Sequence, residues 1–275
     1  MNISPARTRQ LLAFVAVAIK GGIRDRVLAA MLAVGLLLLL STPIVAVFSM
    51  RQVFALATSY SLSIISLTGL LLTLFLAMGM LARDLEQRSV YTVCSLPISR
   101  STYLLGKFLG LAILILVSVT ILGCFSGAAL VVLERLYPPE QPFAWGVFFI
   151  GLWFQYWVLL IVAGITVLFS TVATSTFLPL ALSVGIYFAS YSTEAVRYFV
   201  HSAAGEERIS PAVRAVGSAV YWLPPNFSAF DLKTEVVYSV GVSAQTLLLT
   251  QVYGVAYLGV LLLLATLAFG RREFL

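Results

Sequence analysis

Histidine, cysteine and charge are all scarce in this chain of 275 residues, which has one histidine, two cysteines and a charged fraction of 10%. A single histidine excludes a metal site built on two histidines of the same chain. Cys94 and Cys124 stand far apart and in no paired motif, so they predict neither a disulfide framework nor a metal centre. We therefore expect no metal and no cofactor.

Motifs of common catalytic sites are also missing. The sequence contains no G-x-x-x-x-G-K-[ST] phosphate loop and no G-x-S-x-G nucleophile motif. His201 lies near Glu206 and Glu207, but an intramembrane metalloprotease needs further histidines that this chain lacks. The chain is accordingly not expected to be an enzyme by itself, and any energy from ATP must come from another protein.

Apolar residues, by contrast, make up 61% of the chain, and its mean hydropathy is +1.03. A soluble protein is nearer half apolar and a quarter charged, so the solvent of this chain must be lipid. We predict an all-α integral membrane protein with six transmembrane helices. An N-terminal interfacial helix precedes the spans, and a short cytoplasmic helix lies between spans two and three.

The predicted boundaries follow the uncharged runs. The spans are residues 27–50, 58–82, 108–133, 143–169, 177–193 and 246–270; residues 83–107 and 194–245 are polar. The run from Gln141 to Thr193 is too long for one span, and its hydroxyl-rich stretch 170–176 predicts a tight hairpin. The run from Val53 to Ala82 is also long. Either its hydroxyl-rich first half faces other helices, or that half begins outside the bilayer.

Residues 1–26 carry basic residues on both sides of an apolar stretch. Arg7 and Arg9 precede that stretch, and Lys20, Arg24 and Arg26 follow it. This pattern is typical of a helix in the membrane interface, where basic side chains contact anionic lipid headgroups. The alternative is a frayed tail.

Basic residues are unevenly divided between the two sides of the membrane. With six spans both termini share one side with residues 83–107, and that side holds eleven basic residues against six on the other. The eleven are Arg7, Arg9, Lys20, Arg24, Arg26, Arg83, Arg88, Arg100, Lys107, Arg271 and Arg272. The positive-inside tendency makes this side cytoplasmic and residues 194–245 extracytoplasmic. It also accounts for the net charge of +6 without a nucleic-acid partner.

The interiors of the predicted spans hold no ionisable residue. Transporters coupled to protons or sodium usually place such groups within their spans. The chain is therefore either a porter driven by another protein or a membrane scaffold that does not transport.

Two glycine pairs, Gly106/Gly110 and Gly123/Gly127, have the G-x-x-x-G spacing in span three. Such pairs permit close approach of two helices in a membrane. The sequence leaves open whether the partner helix belongs to the same chain or to a second copy.

The stretch 83–107 is the densest patch of charge between two spans. Asp84 is placed to cap a short helix that runs to Cys94 and ends before Pro97. Its length and helical pattern favour a docking element. The alternative is a solvated loop that only fixes the topology.

Three motifs in this region carry a family resemblance: Arg83-Asp84-Leu85-Glu86-Gln87-Arg88-Ser89-Val90-Tyr91, Leu96-Pro97-Ile98-Ser99-Arg100 and Leu105-Gly106-Lys107-Phe108-Leu109-Gly110. They resemble the stretch between spans two and three of ABC transporter type-2 permeases. With the six-span plan, the resemblance covers essentially the whole chain. The segment 225–238 resembles the corresponding segment in one branch of this family. That branch is grouped with the multi-copper-enzyme-maturation permeases and includes the permease of nitrous oxide reductase maturation.

This resemblance implies a function and partners. Two permease chains would pair in the inner (cytoplasmic) membrane, and each would dock a separate ABC ATPase subunit through a coupling helix within residues 83–107. The complex would be an exporter, and the implied docking residues are Arg83, Asp84, Glu86, Arg88, Tyr91, Pro97, Ser99 and Arg100. A non-transporting assembly or scaffold factor for an extracytoplasmic enzyme remains the alternative.

Overall fold

A computed structural model describes residues 5–48, 52–82, 99–139, 142–173, 175, 177–200 and 224–271. Every regular element in these ranges is helical. The α-helices are α1 (Pro5–Arg24), α2 (Arg26–Leu40), α3 (Thr42–Val47), α4 (Val53–Ala77), α5 (Arg100–Leu136), α6 (Trp145–Val172), α7 (Phe177–Val200), α8 (Lys233–Val237) and α9 (Ala244–Arg271). A π-helical turn (Met78–Ala82) follows α4, and a 3₁₀ turn (Ser228–Phe230) precedes α8.

Five helical stretches of the described chain are long and apolar enough to cross a membrane. They are Arg26–Val47, Val53–Met80, Arg100–Leu136, Trp145–Val172 and Ala244–Arg271. The apolar first part of α7, Phe177–Ser192, covers all but the last residue of the predicted fifth span. The all-helical membrane fold is therefore confirmed. The sixth crossing stays a prediction, because this apolar part of α7 is shorter than a standard span.

Polar side chains divide the N-terminal third into separate helices. Asp25 caps α2, since its Oδ1 accepts a hydrogen bond of 2.9 Å from the Val27 N–H. Ser41 ends α2, and its hydroxyl donates to the Leu38 carbonyl at 2.7 Å. Pro43 then lies in the first turn of α3, where a missing N–H costs no helical hydrogen bond.

The centre of the bundle is α6, which contacts α4, α5, α7 and α9. Val158, Ile161 and Val162 on this helix are fully buried. The Thr166 hydroxyl donates to the Ser183 hydroxyl at 3.0 Å, which ties α6 to α7. The single Thr166 hydroxyl proton is shared between the Ser183 hydroxyl and the Val162 carbonyl of its own helix, and the Ser183 hydroxyl donates to the Pro179 carbonyl.

The hydroxyl-rich half of α4 faces protein. Helix α4 begins at Val53, five residues before the predicted start of span two, and Thr58, Ser61 and Ser66 on it are buried. The Gln155 side-chain amide donates to the Ser66 hydroxyl at 3.3 Å, which links α4 to α6. The buried polar face agrees with the first of the two alternatives for this run, and the position of its start relative to the bilayer stays a prediction.

The two ends of the bundle differ in character. The basic end contains Arg24, Arg26, Arg100, Lys107 and Arg271, together with the π-turn. The loop end contains Gln52 and residues 136–139, 142–145 and 224–243. Contacts between helices at each end establish this grouping: Arg100 reaches the Gly270 carbonyl at the basic end, and the Phe54 and Phe143 rings meet at the loop end.

The polar segment 194–245 returns to the bundle in its second half. Phe227 and Phe230 are buried, although they lie among polar residues in the sequence. The Phe227 ring packs against Tyr187 and Tyr191 on α7, and the Phe230 ring packs against Phe154 on α6. Residues 201–223 of this predicted extracytoplasmic segment lie outside the described residues.

Candidate functional site

The candidate site is the basic end, where the polar stretch leaves α4 and enters α5. Six of the predicted docking residues lie outside the described residues: Arg83, Asp84, Glu86, Arg88, Tyr91 and Pro97. The proposed coupling helix lies there too. The structure describes the contacts of the segments that flank residues 83–98, namely the end of α4 and the start of α5.

On the entry side, α4 passes into the π-turn Met78–Ala82. A π-helical turn is wider than an α-helical one, and such turns are frequent at functional sites in helices. A Cβ atom added to Gly79 would lie 3.4 Å from Asp25 Oδ2, so the α1–α2 junction approaches this turn closely. The turn is therefore in contact with the element that joins the first two helices.

On the exit side, Ser99 begins α5. Its backbone is extended, and its hydroxyl accepts a hydrogen bond of 3.3 Å from the Thr102 N–H, as an N-cap residue does. Arg100 follows, and its Nη1 donates to the Gly270 carbonyl at 3.1 Å. Of the predicted docking residues, these two are described, and both have structural contacts. Residues 100–107 form the first turns of α5.

Lys107 connects the two sides. Its Nζ donates to the Met80 carbonyl at 3.5 Å and lies 5.8 Å from the centroid of the Tyr103 ring. The carbonyl belongs to the π-turn, so one cation of α5 holds the end of α4. The sequence marks Lys107 as a basic residue within a family motif but does not indicate this contact, because the partner is a backbone atom 27 residues away.

Tyr103 extends this connection to two more helices. Its ring meets Phe14 of α1 edge-on at 5.4 Å and stacks on Phe269 of α9 at 6.2 Å between centroids. Edge-on and offset-stacked aromatic pairs each add about 0.5–1.5 kcal/mol beyond area burial. The first turn of α5 is therefore joined to α1, α9 and the π-turn. We call Phe14, Met80, Tyr103, Lys107 and Phe269 the basic-end junction.

The first glycine pair forms the contact surface for α1. A Cβ atom added to Gly106 would lie 2.6 Å from Phe14 Cβ, and one added to Gly110 would lie 2.4 Å from Ala18 Cβ. Further along, a Cβ atom on Gly22 of α1 would meet Leu114 of α5. Contacts thus advance equally on both helices, so α1 and α5 run parallel and side by side. The placement of α1 in the membrane interface stays a prediction.

The second pair also faces helices of the same chain. A Cβ atom added to Gly123 would lie 2.6 Å from a Leu152 methyl group on α6. One added to Gly127 would lie 3.7 Å from Trp145 and would make an ordinary van der Waals contact. All four glycines therefore contact helices within one chain.

Gly110→Ala is expected to lower stability by about 1–3 kcal/mol, because its methyl group would overlap Ala18 and crowd the Val15 carbonyl. Gly127→Ala, on the same helix, has room and is expected to be neutral or stabilising by up to about 1 kcal/mol. Thermal unfolding in one detergent compares the two. Equal melting temperatures would contradict the close α1–α5 contact.

The comparisons with known proteins agree with this architecture. The family model described as ABC-2 family transporter protein matches residues 11–274, which is nearly the full chain. No curated protein sequence matches the chain. Members of this family are membrane components of transporters and are not themselves catalytic. The chain therefore belongs to the ABC-2 transporter family, as a multi-pass membrane component of an ABC transporter.

Proposed function

We propose that this chain is the permease subunit of an ABC exporter and that a separate ATPase drives it through residues 83–107. Family membership supports an ABC ATPase partner. The observation that carries the proposal is the basic-end junction, which joins both sides of the stretch 83–98 to four helices of the bundle. A force on this stretch would reach α1, α4, α5 and α9 directly.

The orientation follows from charge. The side that holds residues 83–107 and both termini carries eleven of the seventeen basic residues, so the basic end faces the cytoplasm. An ATPase in the cytoplasm can then reach this end. The loop end, with residues 194–245, faces the extracytoplasmic side of the inner membrane.

The complex contains two permease chains and two ATPase subunits, by analogy with the family pattern. The two permease chains are copies of this one, as a homodimer. The resemblance of residues 225–238 supports the branch of the multi-copper-enzyme-maturation permeases.

Lys107→Met is expected to weaken coupling. Methionine keeps the apolar stem but removes the donor to the Met80 carbonyl, so the π-turn loses a contact with α5. ATPase stimulation is expected to fall roughly three- to fivefold, the range of a partly exposed charged contact, while ATPase binding stays intact. Lys20→Met on the exposed face of α1 is the control. Equal stimulation in both variants would contradict a role for the junction.

Co-purification with a candidate ATPase tests the proposed function. The full chain, tagged and solubilised in mild detergent, is expected to bring down an ATPase subunit that has a phosphate loop. ATP hydrolysis by that subunit should rise when the chain is present. Recovery of the chain without any ATPase would contradict the proposal and favour a scaffold.

A further inference from the structure

A cavity of ≈ 780 Å³ opens at the loop end, between the start of α4, the end of α5 and residues 237–239. Phe54, Leu136, Tyr137 and Phe143 give it apolar walls. The Phe54 and Phe143 rings meet edge-on at 5.0 Å and are both buried, so this wall is already formed. Its volume lies within the range of about 300–1,000 Å³ that is usual for small-molecule sites.

A second cavity of ≈ 300 Å³ adjoins the first. Gln52, Ala55, Val237 and Tyr238 line both cavities, so the two share a wall. The second cavity adds polar groups, namely Ser59, Lys233 and Thr234. Together the cavities join an aromatic compartment to a polar one.

Lys233 is the one charged residue among the described residues that line the two cavities. The contact between Lys233 and Asp231 uses the lysine backbone, whose N–H donates to Asp231 Oδ1 at 3.2 Å. Within the described part of the chain the Lys233 ammonium has no ion pair with a carboxylate. The polar compartment is therefore lined by one ammonium group that no described carboxylate reaches at ion-pair distance, although Asp231 and Glu235 lie two residues to either side of it in the sequence.

The position of the cavities favours an amphiphile over a fully polar ligand. Apolar helix α4 begins at Val53, and the uncharged part of α5 ends at Leu133, directly before Glu134 and Arg135, so Val53 and Leu133 mark one boundary of the apolar segments. Leu136 and Tyr238 at the mouth are 65% and 58% exposed. At this depth the hydrocarbon chain of an amphiphile lies in the apolar layer while its charged headgroup lies at the aqueous interface.

We propose that the two cavities form one binding site for an amphiphile with an anionic phosphate or carboxylate headgroup. The ammonium of Lys233 binds the headgroup, and the compartment of Phe54, Tyr137 and Phe143 holds the hydrocarbon chain. This site is at the opposite end from the basic-end junction and does not depend on the proposed ATPase coupling.

Native mass spectrometry of the full chain in maltoside detergent tests the site with two probes of equal chain length. Dodecyl phosphate is anionic and dodecylphosphocholine is zwitterionic. Lys233→Glu is expected to weaken dodecyl phosphate binding about tenfold or more, because a charged hydrogen bond is lost and a repulsion is added. Lys233→Arg should retain binding, and Lys20→Glu controls for the loss of a lysine elsewhere.

A second pair of variants tests the cavity itself. Ala55 lines both compartments, so Ala55→Phe is expected to obstruct them and weaken both probes severalfold. Ala13→Phe on the exposed face of α1 should leave binding unchanged. Binding to all variants is measured at one temperature, below the melting temperature of each variant, so that folded proteins are compared.

The source of the ligand is separated by competition with phosphatidylglycerol. If phosphatidylglycerol displaces dodecyl phosphate from the Lys233 site, the natural ligand is a membrane lipid. If dodecyl phosphate stays bound, the natural ligand is an amphiphile that enters from water. Wild-type affinity for dodecyl phosphate in both Lys233→Glu and Ala55→Phe would overturn the site. An equal loss in Lys20→Glu would overturn it too, since binding would then reflect general attraction to positive charge.

Discussion

Reversing the charges at Glu86 and Arg88 is expected to abolish stimulation of the ATPase while the chain still inserts and folds. The double variant Glu86→Lys, Arg88→Glu keeps the net charge, so the charge bias that sets the orientation is unchanged. A buried charged contact with a partner is worth about 2–5 kcal/mol when it is broken, which corresponds to at least a tenfold loss. Stimulated ATP hydrolysis in reconstituted vesicles measures this.

The chain offers a matched control at the other end of α5. Glu134 and Arg135 are also an acidic and a basic residue close together, and they lie next to the loop end. The variant Glu134→Lys, Arg135→Glu should stimulate the ATPase like the wild type. If both double variants stimulate normally, Glu86 and Arg88 do not carry the contact with the ATPase.

Phe230→Ala is expected to lower the free energy of unfolding by about 3–5 kcal/mol, the usual cost of removing a buried phenylalanine ring. The Phe230 side chain is only 2% exposed. Its ring lies 6.0 Å from both Phe154 and Tyr253, and a Cβ atom added to Gly254 would lie 3.1 Å from it. Alanine would leave a cavity between α6 and α9 that neither helix can fill.

Chemical unfolding in detergent, followed by tryptophan fluorescence, checks this prediction. Phe188→Ala is the control, because that ring on α7 is 63% exposed. An exposed substitution should change stability by less than about 1 kcal/mol. A Phe230→Ala protein as stable as the Phe188→Ala protein would show that residues 224–237 do not pack into the bundle.

The long helices could be predicted from the sequence because charge and apolar length define a membrane span. Helix α9 runs from Ala244 to Arg271, and the uncharged run predicts 246–270. Helices α6 and α7 are separated at residues 173–176, where hydroxyl groups cluster. A charged residue in the hydrocarbon region is costly, so the absence of charge is a direct physical signal.

Contacts between distant segments could not be predicted in the same way. Phe227 and Phe230 lie in a segment whose polarity predicts a loop, and only their tertiary partners on α6 and α7 explain their burial. The spacing of Gly106 and Gly110 predicts close approach of a helix, but it does not say that this helix is α1. The glycine spacing predicts a flat surface on α5, whereas the helix that packs on this surface depends on the topology of the chain.

The basic-end junction was also hidden from the sequence. Lys107 donates to a backbone carbonyl, and any residue at position 80 would supply that atom. Tyr103 and Phe269 are far apart along the chain and meet only when α5 and α9 are side by side. The polar motif within residues 83–107 indicates where a partner docks, but not how the bundle would receive the force.

Photo-crosslinking from the proposed coupling element tests the central claim most directly. A benzophenone amino acid is placed at position 87 in place of Gln87, and in a second protein at position 137 in place of Tyr137 at the loop end. The account predicts that position 87 forms a covalent adduct with the ATPase subunit on irradiation and that position 137 does not. An adduct from position 137 alone, or none from position 87 in a complex that hydrolyses ATP, would contradict docking through residues 83–107.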